Sequence, residues 1–253
     1  MIRRARPLLG TMVSISADTT PAQVEAAFAA VERVHALMNF HSADSDVARI
    51  NAEAHLGRVP VQRWTFDVLS QAVRISERTE GAFDVVVPGT GARYTDIVLE
   101  ADCRVRLRRK ASIDLGGIAK GFAVDAAIQT LQAAGAPTGS VNAGGDLRFF
   151  GTWEGPIRVR APAAPAVAVC LPGTRHRAFA TSAAYFGSRL NDTRTERRGV
   201  LEWSVTVAAA TCLVADALTK AVALLGPLAS LLRTFDASAF AVDATGRLYA
   251  SAG

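Results

Sequence analysis

Hydrophobic and polar positions alternate near the start of the chain and then change to a helical spacing. The alternation over 11–17 (TMVSISA) predicts a β-strand. Thr20 and Gln23 then form a capping-box pattern, after which apolar residues recur at helical spacing as far as Met38. We therefore predict a helix that begins after Thr20 and ends near Met38, followed by a polar loop over 39–51.

The rest of the chain mixes helical spacing with short apolar runs. Further helices are predicted at about 66–80, 118–134, 212–225 and 227–236, and glycines at 81, 135 and 226 end the first three. Strands are predicted at 83–87, 95–100, 104–109, 111–114, 140–143, 146–150, 156–160, 167–172 and 204–209, and a hairpin at 239–250 with its turn at 243–246. Because helices and strands do not alternate strictly, we predict an α+β fold with mixed or antiparallel sheets and packed helices in two joined lobes.

Composition narrows the class of protein. The chain has 253 residues, of which 50% are hydrophobic, and this is enough for one sizeable domain over residues 1–253. The N-terminus has no apolar signal-peptide run, and no stretch of about 20 apolar residues occurs, so neither secretion nor a membrane span is expected. Three cysteines without a CxxC pair suggest neither a disulfide framework nor a zinc knuckle, and a reducing cytoplasm is the expected location.

The net charge of +5 is modest, but arginines cluster at 104–110, 174–177 and 194–198. In RVRLRRK (104–110) the arginines alternate with apolar residues, which would place them on one face of a strand. A solvated sheet face explains this pattern better than a nucleic-acid stripe, because no aromatic residues for base stacking are interleaved. We therefore expect no nucleic-acid partner.

A glycine-rich segment, SIDLGGIAKGFAVD (112–125), joins a predicted strand end to a predicted helix. Gly116 and Gly117 would let backbone amides approach a ligand, and the amides at a helix start favour an anion such as phosphate. The spacing matches neither the Walker pattern nor GxGxxG. A tight turn in which Asp114 caps the amides explains the segment equally well, so both interpretations stay open here.

A second glycine loop, NAGGD (142–146), joins two predicted strands. A hairpin turn with a glycine at positive φ is the simpler interpretation of this loop. Two diglycine loops, each with an aspartate nearby, nevertheless favour a ligand that lies between them.

Two further positions carry candidate chemistry. Asp216 lies on an otherwise apolar helix and needs a partner, which is either Lys220 four residues later or a hard cation such as Mg²⁺ beside a phosphate. His41 follows Phe40 in the polar loop and is either a surface residue or a ring that stacks on a planar ligand.

Taken together, the segments resemble the FAD:protein FMN transferase family, also called the ApbE family. The matching segments are LGTMVSI (9–15), MNFHSADSDVARIN (38–51), GAFDV (81–85), IDLGGIAKGFAVD (113–125), VNAGGD (141–146), ATS (180–182), SVTV (204–207), ATCLVADALTK (210–220) and the closing AFAVDATGRLYAS. They span nearly the whole chain, and the order IDLGGIAKGFAVD, GGD, TCLVADAL is highly specific.

The resemblance implies an enzyme that binds FAD and Mg²⁺, cleaves the FAD pyrophosphate and transfers FMN to a threonine or serine hydroxyl of an acceptor flavoprotein, releasing AMP. The implied flavin-nucleotide contacts are Met12, His41, Asp114, Gly116, Gly117, Lys120 and Leu190. The implied metal site consists of Gly117, Asp216 and Lys220, of which Asp216 and Lys220 are also the predicted catalytic residues.

The chain departs from the family pattern in three places. Lys220 stands where many members have a second metal-binding side chain, usually threonine. RLNDTRT (189–195) replaces a segment whose histidine is a candidate for handling the acceptor proton, and the stretch at 88–97 is shortened. Two alternatives stay open. One is an FAD pyrophosphatase, with water as the acceptor, that yields FMN and AMP. The other, which Lys220 and the missing histidine allow, is a flavin-binding module without turnover.

Overall fold

A computed structural model of the chain describes residues 1–152, 155–160, 162, 168–183, 189–192, 197–200, 203–226 and 229–252. The helices in these ranges are α1 (Pro21–Met38), α2 (Asp46–Glu53), α3 (Arg63–Arg78), α4 (Ala119–Ala133), α5 (Cys212–Leu225) and α6 (Ala229–Thr234). A 3-10 turn covers Tyr94–Asp96. None of the described helices is both long enough and apolar enough to cross a membrane.

The described strands are numbered in chain order. They are β1 (Ile2–Leu8), β2 (Thr11–Ala17), β3 (Val59–Pro60), β4 (Ile97–Glu100), β5 (Arg104–Leu107), β6 (Gly139–Ala143), β7 (Asp146–Phe150), β8 (Arg158–Arg160), β9 (Ala168–Cys170), β10 (Ala178–Ser182), β11 (Arg189–Asp192), β12 (Arg197–Val200), β13 (Ser204–Ala209), β14 (Ser238–Val242) and β15 (Leu248–Ala252).

Eight of these strands form one antiparallel sheet in the order β1-β2-β6-β7-β10-β13-β14-β15. A small sheet has the order β3-β5-β4, and two strand pairs, β8-β9 and β11-β12, complete the described sheets. All of the pairings are antiparallel. The prediction of an α+β fold with antiparallel sheets is therefore confirmed.

The large sheet carries the helices on one face. α4 packs against β6 and β7, α5 packs against β10 and β13, and α1 packs against α4. Alternate residues of β2, Val13 and Ile15, are fully buried in the main hydrophobic core under these helices. Successive side chains of a strand point to opposite faces of the sheet. On β7, Phe150 therefore packs in the main core, whereas its neighbour Phe149 packs in a small second cluster that also contains Phe179.

The elements with strong local signals lie where the sequence predicts them. β2 spans the predicted strand, and α1 begins after the capping box in which Thr20 Oγ1 accepts the Gln23 N–H at 3.4 Å. α5 covers the predicted 212–225, with Thr211 as its N-cap and Gly226 at φ 76° as its stop. The turn of the last hairpin is also confirmed, since the Gly246 N–H donates to the Asp243 carbonyl at 3.0 Å.

The predicted polar loop over 39–51 is partly wrong, because its second half forms α2. Ser45 is the N-cap of α2 and accepts the Ala48 N–H at 3.0 Å. Asp46 is buried and accepts hydrogen bonds from Thr65 Oγ1 at 2.6 Å and from the Gln62 N–H at 2.8 Å. These partners lie at the start of α3, and a polar segment of the sequence alone does not reveal them.

Two predicted strands are also wrong. The segments 83–87 and 111–114 make a single bridge between Val86 and Ile113 instead of a ladder. β1, β3, β10, β11 and β12 were not predicted. β1 is rich in arginine, and it is a strand because it pairs with β2 while its Arg4 forms an ion pair with Glu25 of α1 at 2.5 Å.

Helices α4 and α5 approach each other closely at Gly121, in the first turn of α4. A Cβ atom at this position would lie 2.3 Å from the carbonyl oxygen of Cys212 and 2.8 Å from the backbone nitrogen of Leu213. Both atoms belong to the backbone at the start of α5. Only glycine lets the two helix starts come this close.

We expect Gly121→Ala to destabilise the protein by roughly 1–3 kcal/mol or more, because the methyl group would push against backbone atoms of α5. The measurement is the urea unfolding midpoint. Gly57→Ala is the matched control, since no atom lies within 4 Å of a Cβ at Gly57. Equal midpoints for the two variants would contradict the close packing of α4 and α5.

Candidate functional site

The second glycine loop and the helices α4 and α5 are connected through Lys120 and Gly121, because Lys120 contacts Asp146 and Asp216 and the Gly121 N–H donates to Asp216. Gly144 and Gly145, at φ 64° and 108°, form the turn between β6 and β7, so the predicted hairpin turn is confirmed. A Cβ at Gly144 would lie 2.3 Å from Thr11 Oγ1, which shows that this turn is packed tightly against the start of β2. The turn ends at Asp146, the first residue of β7.

Helices α4 and α5 each accept backbone N–H groups from the first turn of the other helix through a carboxylate. Asp125 of α4 accepts hydrogen bonds from the N–H groups of Cys212 and Leu213 at 3.0 and 2.9 Å. These donors lie in the first turn of α5, where N–H groups have no partner within the helix itself. In return, Asp216 of α5 accepts the Gly121 N–H in the first turn of α4 at 3.1 Å. Arg148 of β7 balances Asp125 with an ion pair of 2.5 Å.

Two lysines surround the Asp216 carboxylate. Lys120 Nζ lies 3.4 Å from Asp216 Oδ2 and 3.0 Å from Asp146 Oδ2, so this ammonium bridges both acids. Lys220 Nζ contacts Asp216 Oδ1 and also donates to the Asp216 backbone carbonyl at 3.0 Å. The predicted pairing of Asp216 with Lys220 is therefore present, and a second lysine accompanies it.

Burial and the lysine charges act in opposite directions on the pKa values of Asp146 and Asp216. Burial would raise the pKa of Asp216, but Lys120, Lys220 and the Gly121 N–H outweigh it and lower the pKa to about 2. Burial and the neighbouring charge of Asp216 raise the pKa of Asp146 to about 6 against the opposing lysines. Burial also opposes the charge of Lys120, yet the two carboxylates raise its pKa above the ordinary lysine value.

The lysines are the accessible part of this group. The side chains of Asp146 and Asp216 are 3% and 0% exposed, whereas those of Lys120 and Lys220 are 30% and 22% exposed. A ligand that reaches the site would therefore contact the lysine side chains rather than the buried carboxylates. Such a surface binds anions, because each ammonium has N–H donors to offer to phosphate oxygens.

Three predicted site residues line the loop before α4. Asp114 is exposed, and its Oδ1 accepts the Gly116 N–H at 2.8 Å, so this carboxylate shapes the turn. A Cβ at Gly117 would lie 3.5 Å from both Lys220 Cε and Phe83 Cε2. The structure thus brings Gly117, Lys120, Asp216 and Lys220 together.

The other predicted flavin contacts do not belong to the charged cluster. Met12 follows the β1–β2 turn and is 56% exposed. His41 is exposed and meets Phe40 edge to face with ring centroids 5.3 Å apart. The backbone of Leu190 lies in β11 opposite Gly199, but its side chain and residues 193–196 lie outside the described residues.

Sequence reasoning did not include Asp146 and Asp125 among the site residues. The signal for Asp146 is its place at the end of the NAGGD loop, directly beside a diglycine. The signal for Asp125 is a carboxylate within the apolar run of α4, where a buried acid requires partners. Neither signal names the partner, because the partner lies far away along the chain.

The residues do not fit a divalent cation as they are arranged. Asp146 Oδ2 is buried without an aligned hydrogen bond, and carboxylate oxygens suit Mg²⁺. However, Lys120 contacts both acids and Lys220 covers the remaining oxygen of Asp216. In the part of the chain that the structure describes, no group of three or more His, Cys, Asp or Glu side chains could hold a metal.

Comparison with known proteins identifies the family. The sequence model of the ApbE family matches residues 9–241, which is most of the chain. The chain belongs to the ApbE family. This finding confirms the resemblance seen in the glycine loops and in the Asp216 helix.

Named ApbE relatives are distant in sequence. A Vibrio cholerae protein named FAD:protein FMN transferase is 28% identical over 147 residues, covering 48% of this chain and 44% of its own length. A Treponema pallidum protein of the same name is 28% identical over 195 residues, covering 61% and 53%. The chain therefore spans about half the length of the curated relatives it matches.

The fold of an ApbE protein has also been solved. The crystal structure of the ApbE protein from Thermotoga maritima matches with a TM-score of 0.84 at 27% identity, covering 99% of this chain and 96% of that chain. The fold of this chain is therefore that of an ApbE protein.

We expect Asp125→Asn to destabilise the protein by roughly 1–3 kcal/mol, because the amide keeps only one acceptor oxygen for the two N–H groups of α5 and no longer forms an ion pair with Arg148. The urea unfolding midpoint measures this loss. Asp44→Asn is the control, since Asp44 is exposed. An unchanged midpoint for Asp125→Asn would show that this carboxylate does not hold the helices together.

Proposed function

We propose that this protein is a flavin transferase that takes FMN from FAD and attaches it to a threonine or serine hydroxyl of an acceptor flavoprotein. Membership of the ApbE family and the names of its relatives support the reaction class. The observation that carries the proposal within the site is the pair of accessible ammoniums, Lys120 and Lys220, beside the loop at Gly117.

In this reaction the pyrophosphate of FAD is cleaved. The bond between the FMN phosphorus and the oxygen that bridges to AMP breaks, and the acceptor hydroxyl oxygen forms the new bond to that phosphorus. The bridging oxygen leaves with AMP, and the hydroxyl proton is released to solvent. Because phosphoryl transfer depends mainly on positioning and charge neutralisation, Lys120 and Lys220 serve by donating to pyrophosphate oxygens while Asp216 holds both lysines in place.

The remaining contacts of the nucleotide are proposals that follow the family resemblance. Asp114, Gly116 and Gly117 would orient the nucleotide from the loop before α4. Met12, His41 and Leu190 would meet the flavin, for which a methionine and an aromatic ring provide apolar and stacking surface. A cytoplasmic location, with an acceptor flavoprotein as partner, stays part of the same prediction.

The predicted Mg²⁺ site at Gly117, Asp216 and Lys220 stays a prediction. The three positions lie together, but the Lys220 ammonium contacts the oxygen that a metal would take. No step of the proposed reaction is therefore assigned to a metal.

The test is incubation with FAD and a flavin-accepting domain, with Mg²⁺ and with EDTA, followed by mass spectrometry of that domain. We expect an added FMN on a threonine or serine, and an equal amount of AMP. AMP and free FMN without an acceptor would indicate a pyrophosphatase instead. FAD binding without AMP release would indicate a flavin-binding module that lacks turnover.

We further expect Lys120→Met to weaken FAD binding by about tenfold or more, because an ammonium that donates to the pyrophosphate is lost. Quenching of flavin fluorescence measures the affinity. Lys110→Met is the control, since Lys110 is exposed and lies after β5, outside this site. If FAD binds equally well to both variants, Lys120 does not contact the nucleotide.

A further inference from the structure

Lys220 occupies the centre of the predicted metal site. Its Nζ contacts Asp216 Oδ1 and lies 3.0 Å from the Asp216 backbone carbonyl, which are two oxygens of the kind a hard cation binds. Its Cε is 3.5 Å from the place where a Cβ of Gly117 would stand. One side chain thus lies against both of the other residues that the family resemblance assigns to the metal.

The charges in the site already balance without a metal. Two buried carboxylates, Asp146 and Asp216, face two ammoniums, Lys120 and Lys220. A divalent cation on Asp216 would lie directly beside the Lys220 ammonium and would repel it. The site can therefore take either the metal or this ammonium at the same oxygen.

Lysine is rare in this chain compared with arginine. Of the 28 lysine and arginine residues only three are lysine, at positions 110, 120 and 220, and two of these three lie in the site. Lysine differs from arginine in carrying a compact point charge on a flexible stem. An ammonium is the side-chain group closest in shape to a small cation, whereas a guanidinium is planar and wider.

We propose that the Lys220 ammonium takes the place of a divalent cation in this chain, so that the site binds the pyrophosphate of its nucleotide through two lysines and without metal. This inference rests on the proposed function for the identity of the nucleotide. An ammonium has three N–H donors. Lys220 directs two of them at Asp216, which leaves one for a pyrophosphate oxygen.

The first test measures binding of inorganic pyrophosphate by calorimetry, in EDTA and in Mg²⁺. We expect the wild-type dissociation constant to change by less than about twofold between the two conditions. Binding that is about tenfold tighter with Mg²⁺ would overturn the inference, and so would the absence of binding in both conditions.

The second test compares two substitutions at the same position. Lys220→Thr removes the ammonium and provides a short hydroxyl that leaves room for a cation, whereas Lys220→Met removes the ammonium and offers no hard ligand. In EDTA we expect both variants to bind pyrophosphate about tenfold more weakly. Mg²⁺ should restore binding for Lys220→Thr and not for Lys220→Met. Wild-type affinity of both variants in EDTA would overturn the inference.

Titration with Mn²⁺ followed by electron paramagnetic resonance examines the metal directly and needs no nucleotide. We expect Lys220→Thr to bind Mn²⁺ at least about tenfold more tightly than the wild type, because its Asp216 carboxylate is no longer covered. Saturable wild-type binding of equal affinity would overturn the inference. Lys110→Thr, the same substitution at the lysine outside the site, should behave as the wild type in every assay.

These experiments separate the inference from the proposed function. Pyrophosphate binding in EDTA without any FMN transfer from FAD would reject the function and leave the role of Lys220 standing. FMN transfer that requires Mg²⁺, together with tight Mn²⁺ binding by the wild type, would do the reverse. Thermal melting of each variant confirms that it is folded before binding is compared.

Discussion

The close contact between the starts of α4 and α5 is the constraint on which the site depends. Gly121 lets the two helices approach at backbone distance, and each helix then supplies a carboxylate to the first turn of the other. Asp125 satisfies two N–H groups of α5, and Asp216 satisfies one of α4. The unpaired donors that every helix start exposes are therefore used to join the two helices.

That contact has an electrostatic consequence. Asp216 is fully buried because it must reach the first turn of α4, and a buried carboxylate is stable only when it is paired. Lys120 and Lys220 provide the pairing, and Lys120 extends it to Asp146 at the end of the second glycine loop. Packing thus produces a surface of two partly accessible ammoniums over two hidden acids, which is suited to a pyrophosphate.

The same arrangement places Lys220 where the family resemblance implies a metal ligand. In this chain Gly117, Asp216 and Lys220 lie side by side. With lysine at that position, the chain itself supplies a positive charge where the family resemblance predicts a cation. The fold defines the place of the charge, and a single side chain decides its chemical nature.

Local patterns in the sequence determined where those helices begin and end whose boundaries depend on residues a few positions apart. Thr20 and Gln23 set the start of α1, Gly226 set the end of α5, and the order of the glycine loops and the Asp216 helix indicated the family and most of the site. Only the tertiary structure decided that α2 forms within a polar segment, that β1 is a strand, and that Lys120 joins Asp146 to Asp216. Those features depend on contacts between residues far apart along the chain, and local spacing carries no information about them.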